Sequence, residues 1–473
     1  MAKATVQNWV DQNSAQLVTL SDKIWELAEV GLQEHQSAAA LIAMAKANGF
    51  TVQEGVAGMP SAFVASYGSG HPVIAILGEY DALPGVSQKV HYVKESLKAG
   101  AAGHGCGHNL LGVGALGGAI AVKEAMVQHR LQGTVRYYGC PAEETLVGKV
   151  FMVRDGLFDD VDISLTWHPG SNTALWASSS LAMNSAKFTF HGRTSHAAGD
   201  PENGRSALDA VELMNVAANY LREHVSTEAR MHYVITNGGG EPNVVPATAQ
   251  VWYYVRAPKR AQVEEIYARL QKIAEGAALM TETNFDVQFL SGCSDTIHND
   301  VVGDVILEAM QAVGAPKFDQ ADRDFAANLA KSYPPGHYDK AIAHMQERLG
   351  VDLSGKYLMD VVSDANDKGK VGAGSTDVGD VSWVTPTAQF SIATNAIGTP
   401  GHSWQYCACA GMGIGHKGML VAAKVLGLSA LKFLQQPELI EPAKEGLKKD
   451  TNGQPYVSPL PAGHEPPLHQ LGH

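Results

Sequence analysis

The 473-residue sequence predicts an α/β fold in which a mixed central sheet flanked by helices is interrupted by a smaller inserted domain. Two observations predict this architecture. Apolar runs of strand length alternate with helical patterns in the first part of the chain. A self-contained series of strands and helices follows, and the first pattern then resumes near residue 301 and includes a strand at 388–393. The prediction places the larger unit at 1–184 and 297–473, and the insert at 185–296.

Three apolar runs are predicted to be buried strands of the larger sheet: 72–78, 133–140 and 161–167. A helix is predicted from Leu110 to about Val127, with Asn109 as its N-cap. Each strand is followed at once by polar side chains, which are Glu79 and Asp81, then Glu143 and Glu144, then His168. Active sites in α/β sheets lie beyond the carboxyl ends of the strands. These positions therefore predict where the site lies.

The inserted unit shows the order β-α-β-β-α-β, which is typical of a ferredoxin-like module. Its predicted elements are strand 187–191, helix 205–224, strand 231–236, strand 250–256, helix 261–281 and strand 285–289. Residues 315–370 contain helical stretches and fall within the larger unit, but the sequence does not indicate their role. The proline-rich tail from Pro437 is expected to wrap the surface or to be loose.

The composition argues against several classes of protein. A net charge of −13 makes a nucleic-acid partner improbable. Five unevenly spaced cysteines argue against a disulfide framework and favour a reducing compartment. The N-terminus lacks the basic and apolar blocks of a signal peptide, and the glycine-rich run after Asn109 is too short for a membrane span. We therefore expect a cytoplasmic protein with no membrane partner.

The first chemical signal is the segment GHGCGHN at 103–109, at the start of the glycine-rich helix. Cys106 and His108 are two residues apart and can face one ion when the glycines relax the backbone. A thiolate is also able to bridge two metals. The alternative is a buried structural cysteine beside a surface histidine, and the motif alone does not decide between the two.

The second signal is the acidic pair Glu143 and Glu144, directly after a predicted buried strand. Adjacent acidic residues are commonly no more than a solvated turn. At the mouth of a buried strand, one carboxylate can instead bind a metal while its neighbour takes a proton from water.

Two histidines complete a possible ligand set. His168 follows a predicted strand, and His402 lies in the segment GTPGHSW at 398–404. Each histidine alone is more often a structural residue than a ligand. Together with Cys106, His108 and Glu144, they supply five ligands of the kinds that hold two borderline-soft divalent ions. The conjunction is far more specific than any single member.

The motifs occur in an order that resembles a known family. The matching segments include GEYDALP (78–84), GHGCGHN (103–109), PAEE (141–144), TWHP (166–169), SHAA (195–198) and STDVGDVSW (375–383). Over nearly its whole length the chain is similar to the aminoacylase/carboxypeptidase class of two-metal peptidases, in the branch of hippuricases and plant auxin-conjugate amidohydrolases. The resemblance implies hydrolysis of the amide bond of an N-acyl or N-aroyl amino acid. p-Aminobenzoyl-glutamate is the first expected substrate, with a dipeptide or an auxin conjugate as alternatives.

The resemblance also implies roles for the residues of the site. The expected ligands of two divalent ions, manganese or zinc, are Cys106 as the bridge and then His108, Glu144, His168 and His402. Glu143 becomes the general base, and Asp81 supports the metal site from behind its ligands. Glu79 lies where other branches of the class place a metal-binding histidine.

The insert is implied to be a lid and dimerisation domain. His196 is expected to reach the active site of a partner subunit and stabilise the oxyanion there. Asn243 and Arg256 are expected to bind the substrate's carbonyl or carboxylate, since an arginine donates two parallel hydrogen bonds to a carboxylate. A salt bridge on an edge strand is the alternative for Arg256. The expected assembly is a homodimer, or a heteromer with a related subunit.

Two rival functions can be weighed against this one. A non-catalytic partner subunit has no need to retain Glu143 beside a complete ligand set. A cysteine hydrolase that uses Cys106 with His108 is disfavoured, because two residues so close at a helix start align poorly as nucleophile and base. It also leaves the acidic pair unexplained.

Overall fold

A computed structural model describes residues 1–364 and 367–468, in which two sheets organise the chain. The first part of the larger unit contains α1 (Ala2–Gln12), α2 (Ser14–Leu27), α3 (His35–Ala47), β1 (Thr51–Glu54), β2 (Phe63–Ser69), β3 (Val73–Glu79), α4 (His108–His129), β4 (Gly133–Cys140), α5 (Gly148–Arg154), β5 (Ile163–Gly170) and β6 (Ala174–Trp176). The insert contains β7 (Ala182–His191), α6 (Ala207–Leu221), β8 (Arg230–Asn237), β9 (Thr248–Ala257), α7 (Arg260–Thr281) and β10 (Asn284–Cys293). The larger unit resumes with α8 (Asp300–Val313), α9 (Gln320–Ala330), α10 (His337–Leu349), α11 (Val378–Val384), β11 (Thr387–Ala393), α12 (Trp404–Ala410), α13 (Gly413–Gln435) and α14 (Ile440–Asp450).

The larger sheet has seven strands in the order β1-β2-β4-β3-β5-β11-β6. Its centre, β4-β3-β5-β11, is parallel, whereas β1, β2 and β6 pair antiparallel at the two edges. The predicted mixed sheet flanked by helices is therefore confirmed. Because the four central strands run in the same direction, the residues that follow them meet at one edge of the sheet.

Two of the described helices, α4 and α13, are long and apolar enough to cross a membrane by length and composition. In this fold, 83% and 72% of their most apolar windows are buried. The two helices pack against each other, and α4 also packs against β3. Burial on most sides explains why both helices are apolar nearly all round. They form the centre of the main hydrophobic core.

Element boundaries differ from the sequence-based prediction at three points near the site. Glu79 is the last residue of β3 rather than the residue that follows the strand. Strand β5 extends to Gly170, where it pairs with β11, so that His168 lies within the strand rather than after it. Helix α4 begins at His108 with Gly107 as its N-cap, and Asn109 lies inside the helix. The left-handed backbone of Gly107, with φ of 78°, turns the chain into the helix earlier than predicted. The Asn109 side chain instead donates to Ser21 Oγ and to the Ala410 carbonyl, at 3.0 and 3.1 Å.

The insert has the predicted chain order β-α-β-β-α-β. Its four strands form an antiparallel sheet in the order β10-β7-β9-β8. Helices α6 and α7 pack on each other and on the sheet, and these elements share one apolar core. The predicted limits of the insert at 185–296 stay a prediction, as does its ferredoxin-like classification.

The sequence did not indicate a role for residues 315–370, and the structure forms α9 and α10 within them. These helices pack onto the larger unit through an apolar cluster that includes Leu329, Ile342 and Leu349, and residues after β11. The tail forms α14 and then runs along the surface, where Tyr456 donates to Asp380 Oδ1 at 2.8 Å. Residues 365–366 and 469–473 lie outside the described residues.

Candidate metal centre

The five predicted metal ligands lie at the carboxyl edge of the larger sheet. Cys106 precedes α4, His108 is the first residue of α4, Glu144 lies in a short helical turn after β4, His168 lies near the end of β5, and His402 precedes α12. They come from distant parts of the chain. The parallel strands that end at this edge bring them together.

The side chains form two groups that share Cys106. One group is Cys106, His108 and His168, and the other is Cys106, Glu144 and His402. Within each group the candidate ligand atoms all lie within 4.8 Å of one another. Cys106 Sγ lies 3.5 Å from His168 Nε2, and Glu144 Oε2 lies 3.3 Å from His402 Nε2. A thiolate that bridges two ions requires this arrangement, in which one sulfur belongs to both groups.

Unpartnered polar atoms indicate that the cluster fits cations. Among the described residues, Glu79 Oε2, His108 Nε2 and Glu144 Oε1 are buried without a hydrogen-bond partner. Buried polar atoms are nearly always paired in native proteins, and each exception calls for an explanation such as a bound ion. The donors are a thiol, imidazoles and carboxylates, a set that suits borderline divalent ions. The residues present therefore fit a pair of such ions.

Asp81 orients two of these ligands. Its Oδ1 lies 2.7 Å from His108 Nδ1, and its Oδ2 accepts a hydrogen bond from the Glu144 backbone at 2.9 Å. Burial alone would raise the pKa of Asp81, but the charge and the hydrogen bond of His108 bring it below its ordinary value. A carboxylate at Nδ1 holds one proton there, so His108 would bind a cation through Nε2 after that nitrogen loses its own proton. The supporting role of Asp81 stays a prediction.

The electrostatics of the cluster oppose the charged forms of two of its ligands. Burial raises the pKa of Glu144 to about 7, and burial also raises the pKa of the Cys106 thiol. A cation favours the deprotonated carboxylate and thiolate. Binding of the ions and loss of the protons are therefore coupled at this site.

Glu143 lies beside the ligands but belongs to neither of the groups that share Cys106. Its Oε2 is 3.9 Å from His108 Nε2, and it forms a third compact group with Glu79 and His108. Burial raises the pKa of Glu143 well above its ordinary value, with a further contribution from the charges of Glu79 and Asp377. It also lines a cavity of about 240 Å³. Such a carboxyl group can both take up and release a proton next to a bound substrate.

The turn that carries the acidic pair has an unusual backbone. Ala142 and Leu146, on either side of it, adopt φ of 55° and 58°, in the left-handed region that non-glycine residues seldom enter. The Ala142 N–H donates to the buried Glu34 Oε1 at 2.8 Å, which anchors the start of the turn. Burial, and then the charge of Asp81, raise the pKa of Glu34 to about 8. Rare backbone conformations of this kind are concentrated at active sites, where the surrounding structure imposes them.

Sequence reasoning missed a buried lysine behind the site. Lys149 Nζ lies 2.6 Å from Glu79 Oε1 and 2.6 Å from Asp377 Oδ1, and its side chain is fully buried. The Lys149 backbone also donates to Asp377 Oδ2 at 2.8 Å. The available signal was a lysine surrounded by apolar residues shortly after the acidic pair. The ion pairs hold Glu79 beside the candidate metal ligands.

Arg256 lies on β9 and lines the same cavity as Glu143. The alternative for Arg256 was a salt bridge on an edge strand. The structure excludes it, because β9 is an internal strand between β7 and β8. The Arg256 guanidinium lies 5.4 Å from the centre of the Tyr254 ring, and its Nε is buried without a partner. Arg256 therefore has a donor available to a ligand in this cavity.

His196 and Asn243 lie away from the metal ligands of their own chain. Neither lines the two cavities beside Cys106. The two residues are neighbours in the insert, where the Ala197 N–H donates to the Asn243 carbonyl at 3.0 Å. His196 Nδ1 accepts hydrogen bonds from the backbone of Ala198 and Gly199 at 3.2 and 3.0 Å. The ring proton is therefore on Nε2, which is a hydrogen-bond donor.

Comparisons with known proteins cover both units. Residues 182–281 match the family described as a peptidase dimerisation domain. Over 472 residues the chain is 40% identical to one of the subunits of the p-aminobenzoyl-glutamate hydrolase of Escherichia coli (strain K12), and the match covers 98% of each chain. It is 27% identical over 454 residues to the Xaa-Arg dipeptidase of Mus musculus, which covers 93% of this chain and 90% of the relative. Among solved structures, a dinuclear metal-binding peptidase of the M20 family from Bacillus subtilis matches with a TM-score of 0.56 at 16% identity, covering 90% of this chain and 99% of that one.

Proposed function

The chain belongs to the M20 family of peptidases and amidohydrolases, and on that premise we propose that it hydrolyses the amide bond of an N-acyl or N-aroyl amino acid. The first proposed substrate is p-aminobenzoyl-glutamate, which the name of the E. coli relative supports. The observation that carries the proposal is the position of Cys106 in two groups of ligands, with Glu143 next to both.

The ligand set is proposed to hold two divalent ions, manganese or zinc. Cys106 is the shared ligand, and the other four ligands are His108, Glu144, His168 and His402. When bound, such ions act as Lewis acids and lower the pKa of a water that they hold to about 7.

The protein's own groups then handle the protons and the charge. Glu143 accepts a proton from the attacking water and later donates it to the amide nitrogen as the amine leaves. Nε2 of His196 of the partner subunit donates a hydrogen bond to the oxygen that becomes negative. Asp81 keeps the imidazole of His108 in the tautomer that binds a cation.

The carboxylate of the substrate is proposed to bind Arg256. The unpartnered Nε of this residue and its place in the cavity of Glu143 support the assignment. A planar guanidinium binds a carboxylate through two parallel hydrogen bonds. Asn243 of the partner subunit is proposed to contact the substrate together with His196 of the partner subunit, since the two are neighbours in the insert.

The chain is further proposed to form a homodimer through its insert. Strand β8 is at the edge of the smaller sheet and leaves Val234 54% exposed, while α6 leaves Val216 and Tyr220 50% and 71% exposed. Exposed apolar side chains on an edge strand and on a helix that packs against the same sheet are typical of a docking surface. A heteromer with a related subunit is the alternative, because the E. coli relative is named as a subunit.

A cytoplasmic location is also proposed, in agreement with five unpaired cysteines.

The test is an assay of the purified chain loaded separately with manganese and with zinc. The substrates are p-aminobenzoyl-glutamate, other N-acyl and N-aroyl amino acids, dipeptides and an auxin conjugate. We expect two ions per chain and release of the free amino acid. Faster cleavage of dipeptides would favour a dipeptidase, the function named for the mouse relative. Two bound ions without turnover on any substrate would instead indicate a non-catalytic subunit.

A further inference from the structure

Two cavities flank the metal ligands, and the proposed function uses only one of them. The cavity of about 240 Å³ contains Glu143 and Arg256. A second cavity, of about 320 Å³, lies on the side of helix α10. Both are lined by Cys106, His168, Trp176 and His402. The metal ligands therefore stand at the junction of two binding spaces.

An amide held at this junction places one half of the substrate in each cavity. This division of the substrate between the two cavities rests on the proposed function. If Arg256 binds the carboxylate of the amino acid, that half occupies the smaller cavity. The acyl half then faces the cavity beside α10.

The walls of this second cavity suit an aromatic ring. Trp176, Tyr406 and Leu349 contribute two aromatic rings and an aliphatic side chain. The Tyr406 hydroxyl is not available as a donor to a ligand, because it donates to the Pro169 carbonyl at 2.6 Å. An apolar cavity of about 150 Å³ is enough for benzene, so the observed volume accommodates a substituted ring.

A buried asparagine supplies the polar part of the cavity. Asn395 follows β11, lines the cavity and is 1% exposed. Neither its Oδ1 nor its Nδ2 has a hydrogen-bond partner among the described residues. A buried amide with both atoms unpaired costs free energy that a protein does not normally retain without a reason. A ligand in the cavity can satisfy it.

An arginine on α10 lines the same cavity. Arg348 has a buried Nε without a partner, and its guanidinium is 3.8 Å from Asp367 Oδ2. Asp367 is itself held by hydrogen bonds from the Ala177 and Ser178 backbone at 3.0 and 2.9 Å. The helical segment 315–370 thus contributes both an apolar and a charged side chain to the cavity wall through Leu349 and Arg348.

We propose that the cavity beside α10 is the acyl subsite and that Asn395 is a specificity-determining residue that selects aromatic acyl groups with a hydrogen-bonding substituent. The Asn395 amide offers one acceptor and two donors, so it can pair with an amino or a hydroxyl substituent on the ring. Arg348 supplies further donors at the same cavity. Aroyl amino acids that lack such a substituent leave the amide unpaired and are poorer substrates.

The test compares 4-aminobenzoyl-glutamate with benzoyl-glutamate on the metal-loaded protein and on Asn395→Leu. The wild-type protein should prefer the amino-substituted substrate, and the ratio of the two kcat/KM values should fall about tenfold in the variant, the effect of one hydrogen bond of about 1.4 kcal/mol. Asn395→Leu should also unfold at the same temperature as the wild-type protein or at a higher one, because replacing an unpaired buried amide by an apolar group is neutral or stabilising.

The matched control is Asn215→Leu in α6. Asn215 is also buried, but it accepts a hydrogen bond from the Tyr253 hydroxyl at 2.5 Å and lines neither cavity. This variant should lose thermal stability and keep the substrate ratio. An unchanged ratio in Asn395→Leu, or a lower unfolding temperature with the preference intact, would overturn the proposal.

A binding measurement separates this inference from the proposed function. If the wild-type protein hydrolyses neither substrate, the proposed function fails, and titration with 4-aminobenzoate and benzoate tests the cavity alone. The amino-substituted acid should bind the wild-type protein more tightly than benzoate does, and the difference should vanish in Asn395→Leu. Equal binding of both acids to the wild-type protein would refute the acyl subsite.

Discussion

At the residue scale, the two adjacent glutamates have different surroundings and hence different proposed work. Glu144 lies 3.3 Å from His402 and shares a ligand group with Cys106. Glu143 faces the cavity that contains Arg256 and belongs to neither of the groups that share Cys106. The strained turn and its hydrogen bond to Glu34 hold both carboxylates in place. Two adjacent residues are thus proposed to have different roles: Glu144 binds a cation, and Glu143 transfers a proton.

We expect Glu143→Gln to bind two ions normally and to lose turnover. The amide keeps the shape of the side chain but cannot accept the proton of water, and general acid–base catalysis contributes about 10²–10⁴-fold to a rate. Metal content by elemental analysis and kcat under saturating substrate measure the two effects. The neighbouring variant Glu144→Gln should lose metal as well as turnover. Retained activity in Glu143→Gln would exclude Glu143 as the base.

Cys106→Ala should lose both ions and activity together, since one sulfur belongs to both ligand groups. The other free cysteines provide the control. Cys409 is buried in the apolar cluster beside α9 and α10, and Cys409→Ala should keep its metal content. Elemental analysis after dialysis distinguishes the two variants. Two tightly bound ions in Cys106→Ala would show that the thiolate is not shared.

At the scale of secondary-structure elements, a buried ion-pair network joins β3, α5 and the start of α11. Glu79 ends β3, Lys149 lies in α5, and Asp377 is the N-cap of α11. Coulombic attraction to Asp377 and Glu79 outweighs burial and raises the pKa of Lys149 well above its ordinary value. The lysine therefore stays charged, and the three elements are connected directly beneath the metal site.

Lys149→Met should lower the free energy of unfolding by about 3–5 kcal/mol, because it leaves buried carboxylates without their counter-charge. Urea unfolding monitored by circular dichroism measures the loss. The control is Lys46→Met, whose side chain is 54% exposed in a surface ion pair and should change stability by about 0–1 kcal/mol. Equal effects in the two variants would mean that the buried network does not stabilise the fold.

For the whole molecule, the position of His196 supports the proposal that two chains share one active site. The two cavities are lined by four of the five candidate metal ligands and by Glu143 and Arg256, whereas His108 lines neither. His196 lies on the insert and does not line either cavity of its own chain, although its Nε2 proton is suited to an oxyanion. A second copy docked through β8 and α6 is the proposed source of this donor.

Mixing two inactive variants tests the shared site. His196→Ala and Glu143→Gln should each be inactive alone, whereas a hybrid dimer contains one site with Glu143 from one chain and His196 of the partner subunit. Random exchange should restore about one quarter of the wild-type activity, because half of the dimers are hybrids with one complete site of two. Activity after denaturation and joint refolding measures the recovery, and each variant refolded alone is the control. No recovery would refute a role for His196 in trans.

Periodicity and motif order, which depend on local pattern, predicted the α/β class, the order of elements in the insert and the candidate metal ligands. Local pattern also has limits, as the extension of β5 past His168 and the start of α4 at Gly107 demonstrate. Three further relations became visible only in the folded chain: Cys106 lies in both ligand groups, Lys149 pairs with Asp377, and Asn395 faces a cavity beside α10. These relations join residues far apart in the chain, and they exist only once parallel strands and packed helices bring those residues into contact.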